Sequence, residues 1–283
     1  MITAAYTLVL QAPALDATFV QAIAQLSGAN TIEQRSPSLS HLAGASLAHH
    51  AEIAARCEQA EVDYAFVPSG LRFADYGLVV SDMDSTLITI ECIDEIADMQ
   101  GLKEKVAAIT ERSMLGELDF KASLIERVAL LAGLPEQALE VVYRERLQLT
   151  PGARELLAGC KANDVKFMLV SGGFTFFTER LKQELELDYA YANLLEVEDG
   201  KLTGRVLGDI VDGEAKARLL LHVRDSLGLR PEQVIALGDG ANDLKMLNAA
   251  GLGIAFHAKP VVREAADVAI SQVGLEGVLG LFN

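Results

Sequence analysis

Four short, unbroken apolar runs constrain this chain more than any other feature: Leu78 to Val80, Phe167 to Val170, Val234 to Leu237 and Leu252 to Phe256. Each has strand length and none alternates with polar residues, so both faces of each must be covered. Patterns of helical period lie between three of them, among them EAKARLLLHVRDSLG from Glu214 to Gly228. Continuous apolar strands alternating with helices predict an α/β fold, a doubly wound parallel sheet between two helical layers. Asp199-Gly200, inside LEVEDGKLTGRV, reads as a hairpin turn and predicts an antiparallel flap that interrupts the alternation.

Two other regions break this pattern. Residues 1–74 carry strand-like stretches (TAAYTLVL, TIEQRS, VDYAFVP) and two helical ones (DATFVQAIAQLSG, SLAHHAEIAARCEQAE), which predict a small α+β domain with helices on one face of an antiparallel sheet. Its boundary falls within Pro68 to Gly77, leaving 75–283 as the larger domain. Directly after the first apolar run, about sixty residues read as helices, including IDEIADMQG and FKASLIERVALLAG. A helical cap over about 90–149, inserted there, is placed to act as a lid.

Composition excludes several partners. With 40 acidic and 24 basic residues the net charge is -16, and nucleic acid and anionic membranes both repel such a surface. A small anionic substrate therefore requires a local positive site. Cys57, Cys92 and Cys160 are odd in number and lack CxxC spacing, as expected of a reduced, cytoplasmic chain. No apolar run approaches the ~18 residues of a membrane span. Oligomeric state is open, a homodimer included.

Chemistry gathers where strands end, because ligands of open α/β sheets sit beyond the carboxyl ends of their strands. The first run ends in Asp82 and Asp84, the second in Ser171-Gly172-Gly173, and the third in GDGAND, Gly238 to Asp243. A lone DxD is ordinarily a helix cap or a solvated loop. Here Asp82, Asp84 and Asp239 converge, and like carboxylates raise one another's pKa unless a cation intervenes. Oxygen donors without nearby His or Cys select Mg²⁺ over Zn²⁺. Ser171, the N–H groups of Gly172 and Gly173 ahead of a helix, and Lys216 supply what a phosphate group needs. Asp82, first off the strand, is the better nucleophile for a two-step displacement. Asp84 can donate a proton to the leaving alcohol and later take one from water.

These motifs, DMDST at Asp82, SGG at Ser171, Lys216 and GDGANDLKML from Gly238, resemble the four motifs of the haloacid dehalogenase (HAD) superfamily of phosphotransferases, over about Gly77 to Asn283. The resemblance implies Mg²⁺ held by Asp82, the main-chain carbonyl of Asp84, and Asp239, with Asp243 in support. In detail the chain is similar to the phosphoserine phosphatase family. That likeness implies that Glu91 pairs with the substrate ammonium and that Arg127, on an otherwise apolar helix stripe, grips its carboxylate. It also implies that Met114 and Phe120 shield the site, that Asn242 contacts the phosphate side, and that Ser171, Gly172 and Lys216 bind the phosphoryl group. The expected reaction is Mg²⁺-dependent hydrolysis of O-phospho-L-serine. The alternatives are a phosphatase or phosphotransferase for another small phosphorylated metabolite and a receiver-type switch phosphorylated on aspartate. The first 74 residues resemble regulatory domains of ACT-like topology.

Overall fold

The computed structural model describes residues 6–114 and 117–282, with backbone only at 113 and 114. Its first sheet has the order β2-β3-β1-β4 and is antiparallel throughout, built from β1 (Tyr6–Gln11), β2 (Thr31–Ser36), β3 (Leu39–Ala45) and β4 (Asp63–Pro68). Helices α1 (Ala17–Ser27) and α2 (His50–Gln59) cover one face. The Asp16 carboxylate starts α1 by accepting the Phe19 N–H at 2.7 Å, and Gly28 ends it at a left-handed φ of 69°. Leu8, Leu10, Ile23, Leu42 and Ile53 form the small core between helices and sheet. The opposite face meets the rest of the molecule. There the Asp63 carboxylate accepts the N–H groups of Ser271 and Gln272, each at 2.8 Å, and Gln11 Nε2 donates to the Gly277 carbonyl at 3.0 Å.

The second sheet has seven strands in the order β11-β10-β9-β5-β6-β7-β8. They are β5 (Leu78–Ser81), β6 (Lys166–Phe174), β7 (Tyr189–Glu198), β8 (Lys201–Leu207), β9 (Val234–Gly238), β10 (Leu252–Phe256) and β11 (Val268–Ile270). All neighbouring pairs are parallel except β7 with β8, the hairpin turned at Asp199-Gly200. Side-chain alternation shows why the strands had to be apolar on both faces. Val79, Ile235 and Leu237 enter one core, while Leu78, Val80, Val234 and Ala236 enter a second one on the other face. Each fully buried Val, Leu or Ile contributes ~1.5–3 kcal/mol, so both layers are needed to hold the sheet.

Between β5 and β6 lies the helical cap: α3 (Cys92–Asp98), α4 (Lys103–Met114), α5 (Phe120–Ala129) and α6 (Gln137–Glu145), followed by the core helix α7 (Ala153–Ala162). The chain enters and leaves the cap through a short antiparallel pair. Thr89 N–H donates to Gln148 O, and Thr150 N–H to Leu87 O, both at 3.0 Å. After β6 come α8 (Thr175–Leu185), α9 (Gly213–Ser226), α10 (Leu244–Ala249), α11 (Pro260–Ala265) and α12 (Gly277–Gly280). No described helix is long and apolar enough to cross a membrane. All three cysteines are free and buried.

Candidate active site

Strands β5 and β9 lie side by side, Ser81 opposite Leu237, and the Asp82 N–H continues their ladder to the Leu237 carbonyl at 3.0 Å. This register fixes where the DMDST loop begins and sets it beside the GDGAND loop of β9. The loop then turns at once, with Ser85 in the left-handed region at φ 57°. As a result Asp82 and Asp84 reach into one crevice. Carboxylate oxygens of Asp82, Asp239 and Asp243 all lie within 4.8 Å of one another.

Lys216 stands among them, fully buried. Its Nζ is 2.8 Å from Asp82 Oδ1 and 2.7 Å from Asp243 Oδ1. Burial disfavours the ammonium, but the Asp243 and Asp82 charges outweigh it and hold its pKa above the ordinary lysine value. Asp243 is fully engaged by the protein, since its second oxygen accepts the Gly240 N–H at 3.1 Å. Asp82 is only half engaged: Oδ1 also accepts the Met83 N–H at 2.7 Å, and Oδ2 accepts no hydrogen bond from a described residue. Burial and then the Asp243 charge push Asp82 well above the usual carboxylate range, against the pull of Lys216. The same two causes raise Asp239 to about 6. One lysine does not neutralise this cluster. An all-oxygen donor set so crowded fits a hard divalent cation.

The SGG stretch of β6 closes the other side. Ser171 is completely buried, and its hydroxyl donates to Asp84 Oδ2 at 3.2 Å while accepting the Gly173 N–H at 2.8 Å. Asp84 Oδ1 accepts the Cys92 N–H at 2.8 Å. Burial raises the Asp84 carboxyl despite these donors. Position 173 is tightly enclosed by site side chains: a Cβ there would lie 2.8 Å from Asp84 Oδ2 and 3.0 Å from Met83 Cε, so a larger residue would displace them.

Cap residues complete the crevice. A Cβ on Gly172 would meet Phe120 Cζ at 2.6 Å, so the cap rests on the SGG loop through this ring. Glu91 accepts from the Ser85 hydroxyl at 2.8 Å. Its residue keeps an open side to solvent, yet protein crowds the carboxyl, and burial followed by the Asp84 charge raises it to about 8. Arg127, on α5, donates through Nε to the Ser123 carbonyl at 3.4 Å and makes no ion pair with a described carboxylate. Burial lowers its pKa, with Asp94, Glu91 and Asp84 opposing. Asn242 sits in the turn after β9, its side chain folded over Gly240 and its carbonyl against Gly213. The Met114 side chain lies outside the described residues.

The structure thus brings Asp82, Asp84, Ser171, Gly172, Lys216, Asp239 and Asp243 together, with Glu91 beside Asp84 and Phe120 above. Sequence reasoning did not find the Cys92 contact. It is made by a main-chain N–H, which leaves no side-chain signal.

Comparison with known proteins agrees with this geometry. Residues 79–248 match the haloacid dehalogenase-like hydrolases. A phosphoserine phosphatase from Albidiferax ferrireducens is 54% identical over 217 residues, 75% of this chain and 92% of the relative. Among solved structures, a HAD family hydrolase from Salmonella enterica serovar Typhi superposes with a TM-score of 0.91 at 33% identity, covering 99% of each chain. A probable phosphoserine phosphatase from Vibrio cholerae, unliganded, does so with a TM-score of 0.84 at 40% identity, covering 98% of this chain and 86% of its own. The chain belongs to the haloacid dehalogenase-like hydrolase family, in its phosphoserine phosphatase branch.

Proposed function

We propose that this protein hydrolyses O-phospho-L-serine to L-serine and phosphate, with Mg²⁺ as cofactor, through a phosphorylated Asp82. The observation that carries the reading is the asymmetry of Asp82, within the Asp82, Asp239 and Asp243 cluster: Oδ1 is fixed by Lys216 and the Met83 N–H, and Oδ2 accepts no hydrogen bond from a described residue. Asp82 and Asp239, with the Asp84 main-chain carbonyl, would hold the ion. When bound, it neutralises the carboxylates and the incoming phosphoryl oxygens.

The chain's own groups perform the steps. The Gly172 N–H, the Ser171 hydroxyl and Lys216 hold the phosphoryl oxygens, with Asn242 on the same side, and the Gly173 N–H braces the Ser171 hydroxyl. Asp82 Oδ2 attacks phosphorus as the bond to the serine oxygen breaks, and Asp84 transfers its proton to that oxygen. After serine leaves, Asp84 takes a proton from water. The hydroxide formed attacks the acyl phosphate, releases phosphate and restores Asp82. Glu91 pairs with the substrate ammonium, which offsets the burial now raising its pKa, and the unpaired guanidinium of Arg127 takes the carboxylate with two parallel hydrogen bonds. Phe120, against Gly172, excludes water from the crevice.

Residues 1–74 act in this reading as a separate regulatory domain of ACT-like topology beside the 75–283 catalytic domain. Buried free thiols and net charge suit the cytoplasm. Phosphate release from O-phospho-L-serine, glycerol phosphate and sugar phosphates at equal concentration, with and without Mg²⁺, tests the assignment. A marked preference for phosphoserine that disappears with a chelator is expected. Equal rates on all three substrates would reject the specificity, and chelator-insensitive turnover would reject the metal.

A further inference from the structure

The SGG stretch is irregular in a way that asks what holds it. In the β6–β7 ladder Val170 lies opposite Tyr191 and Phe174 opposite Asn193, so three β6 residues, Ser171 to Gly173, stand against the single β7 residue Ala192. Their main chain has left the regular ladder. Two adjacent glycines in such a bulge are free to rotate their shared peptide plane, and a Cβ on either would press on a side chain of the site. Something else must fix that plane.

Asn193 does so. It is 1% exposed, and both polar atoms of its amide are engaged by main-chain groups: Nδ2 donates to the Gly172 carbonyl at 2.7 Å, and Oδ1 accepts the Val211 N–H at 2.8 Å. The Gly172 carbonyl and the Gly173 N–H belong to one trans peptide, so they point in opposite directions. Pulling the carbonyl toward Asn193 therefore aims the Gly173 N–H into the crevice, at Ser171 Oγ. With that lone pair occupied, the Ser171 proton turns to Asp84 Oδ2. The second bond reaches the segment leading into α9, the helix that carries Lys216. One buried amide thus ties together the donors on two sides of the phosphoryl pocket.

We propose that Asn193 is a positioning residue of the phosphoryl site, which locks the Gly172–Gly173 peptide and thereby sets the Gly173 N–H and the Ser171 hydroxyl. It touches no substrate. The inference rests on the phosphatase reading above for its kinetic consequences, though not for the geometry itself.

Asn193→Asp tests it with almost unchanged shape. The carboxylate still accepts from Val211, but it sets an oxygen against the Gly172 carbonyl, which favours a flipped peptide. The expected result is a fall in kcat of about 10²-fold, as for loss of one preorganised donor. Inorganic phosphate should inhibit about tenfold more weakly. Inhibition by L-serine, which engages only Glu91 and Arg127, should stay within about twofold. Wild-type kcat and phosphate inhibition in the folded variant would overturn the proposal. So would equal weakening of phosphate and serine, the mark of a general packing defect. Hydrogen exchange at the Gly173 amide of the protein without substrate gives a readout independent of activity: faster exchange in the variant, with β5 still protected, is expected, and unchanged exchange overturns the proposal. Should the wild type release no phosphate from phosphoserine, the functional reading fails while the exchange experiment still decides the role of Asn193. Asn193→Ser carries the same measurements if the aspartate variant does not fold.

Discussion

Lys216→Met isolates the electrostatics of the site. Methionine preserves the volume of the buried stem, so little of the effect is a cavity, and what disappears is one ammonium 2.8 Å from Asp82 and 2.7 Å from Asp243. Removing one partner of a buried ion pair costs about 3–5 kcal/mol, because the charge left behind has lost both water and its counter-ion. Lys216 is raised above its ordinary pKa, so its own stabilisation is complete below the unfolded-state pKa and is lost only as pH rises through the higher folded value. It is therefore constant between pH 5 and 8. Any pH dependence of the loss must come from the acids. Asp82 is raised in the fold, so the folded state binds its proton more readily than the unfolded state, and the variant recovers stability as pH falls. Urea unfolding at pH 8 should show the full deficit, and at pH 5.5 a smaller one. Saturating Mg²⁺ should restore part of it by binding the folded state alone. A deficit below about 1 kcal/mol at pH 8, or one that grows as pH falls, would refute the account of a carboxylate cluster held by a single lysine.

Two further outcomes follow from the same geometry. Arg127→Ala should raise KM for phosphoserine by about 10- to 100-fold with kcat within a few-fold, the loss of one bidentate charge-assisted pair, and steady-state kinetics measure both. Asp239 titrates near 6 without a metal, against an ordinary 3.8, so metal-free stability should fall as pH rises from about 4 to 6, and Mg²⁺ affinity should weaken as pH falls through 6. Thermal unfolding and calorimetric titration across that range test the two signs.

The sheet was legible because β5, β9 and β10 are buried on both faces and so could not be written with polar residues. Strand β3, LSHLAGA, escaped because Ser, His and Gly break its apolar run, although Leu42 packs in the small core and the His41 ring bonds the Gly280 carbonyl at 2.8 Å. Strand β11 has only three residues, and the first half of β7, Tyr189 to Asn193, mixes tyrosine with alanine and asparagine, whereas its second half is legible in the Asp199-Gly200 hairpin. The catalytic side chains were readable for a different reason: Asp82, Asp84 and Asp239 sit at strand ends, where local sequence and sheet topology fix position together. Asn193 and the Cys92 N–H act through backbone contacts whose partners lie far off in sequence, and no spacing rule reaches them.

The most direct test is chemical capture of the covalent intermediate. Protein mixed with phosphoserine and Mg²⁺, quenched and reduced with borohydride, should yield a peptide in which residue 82 alone has become homoserine, the product expected from an aspartyl phosphate. Conversion at residue 84 instead, or steady phosphate release with neither residue ever modified, would contradict the central claim.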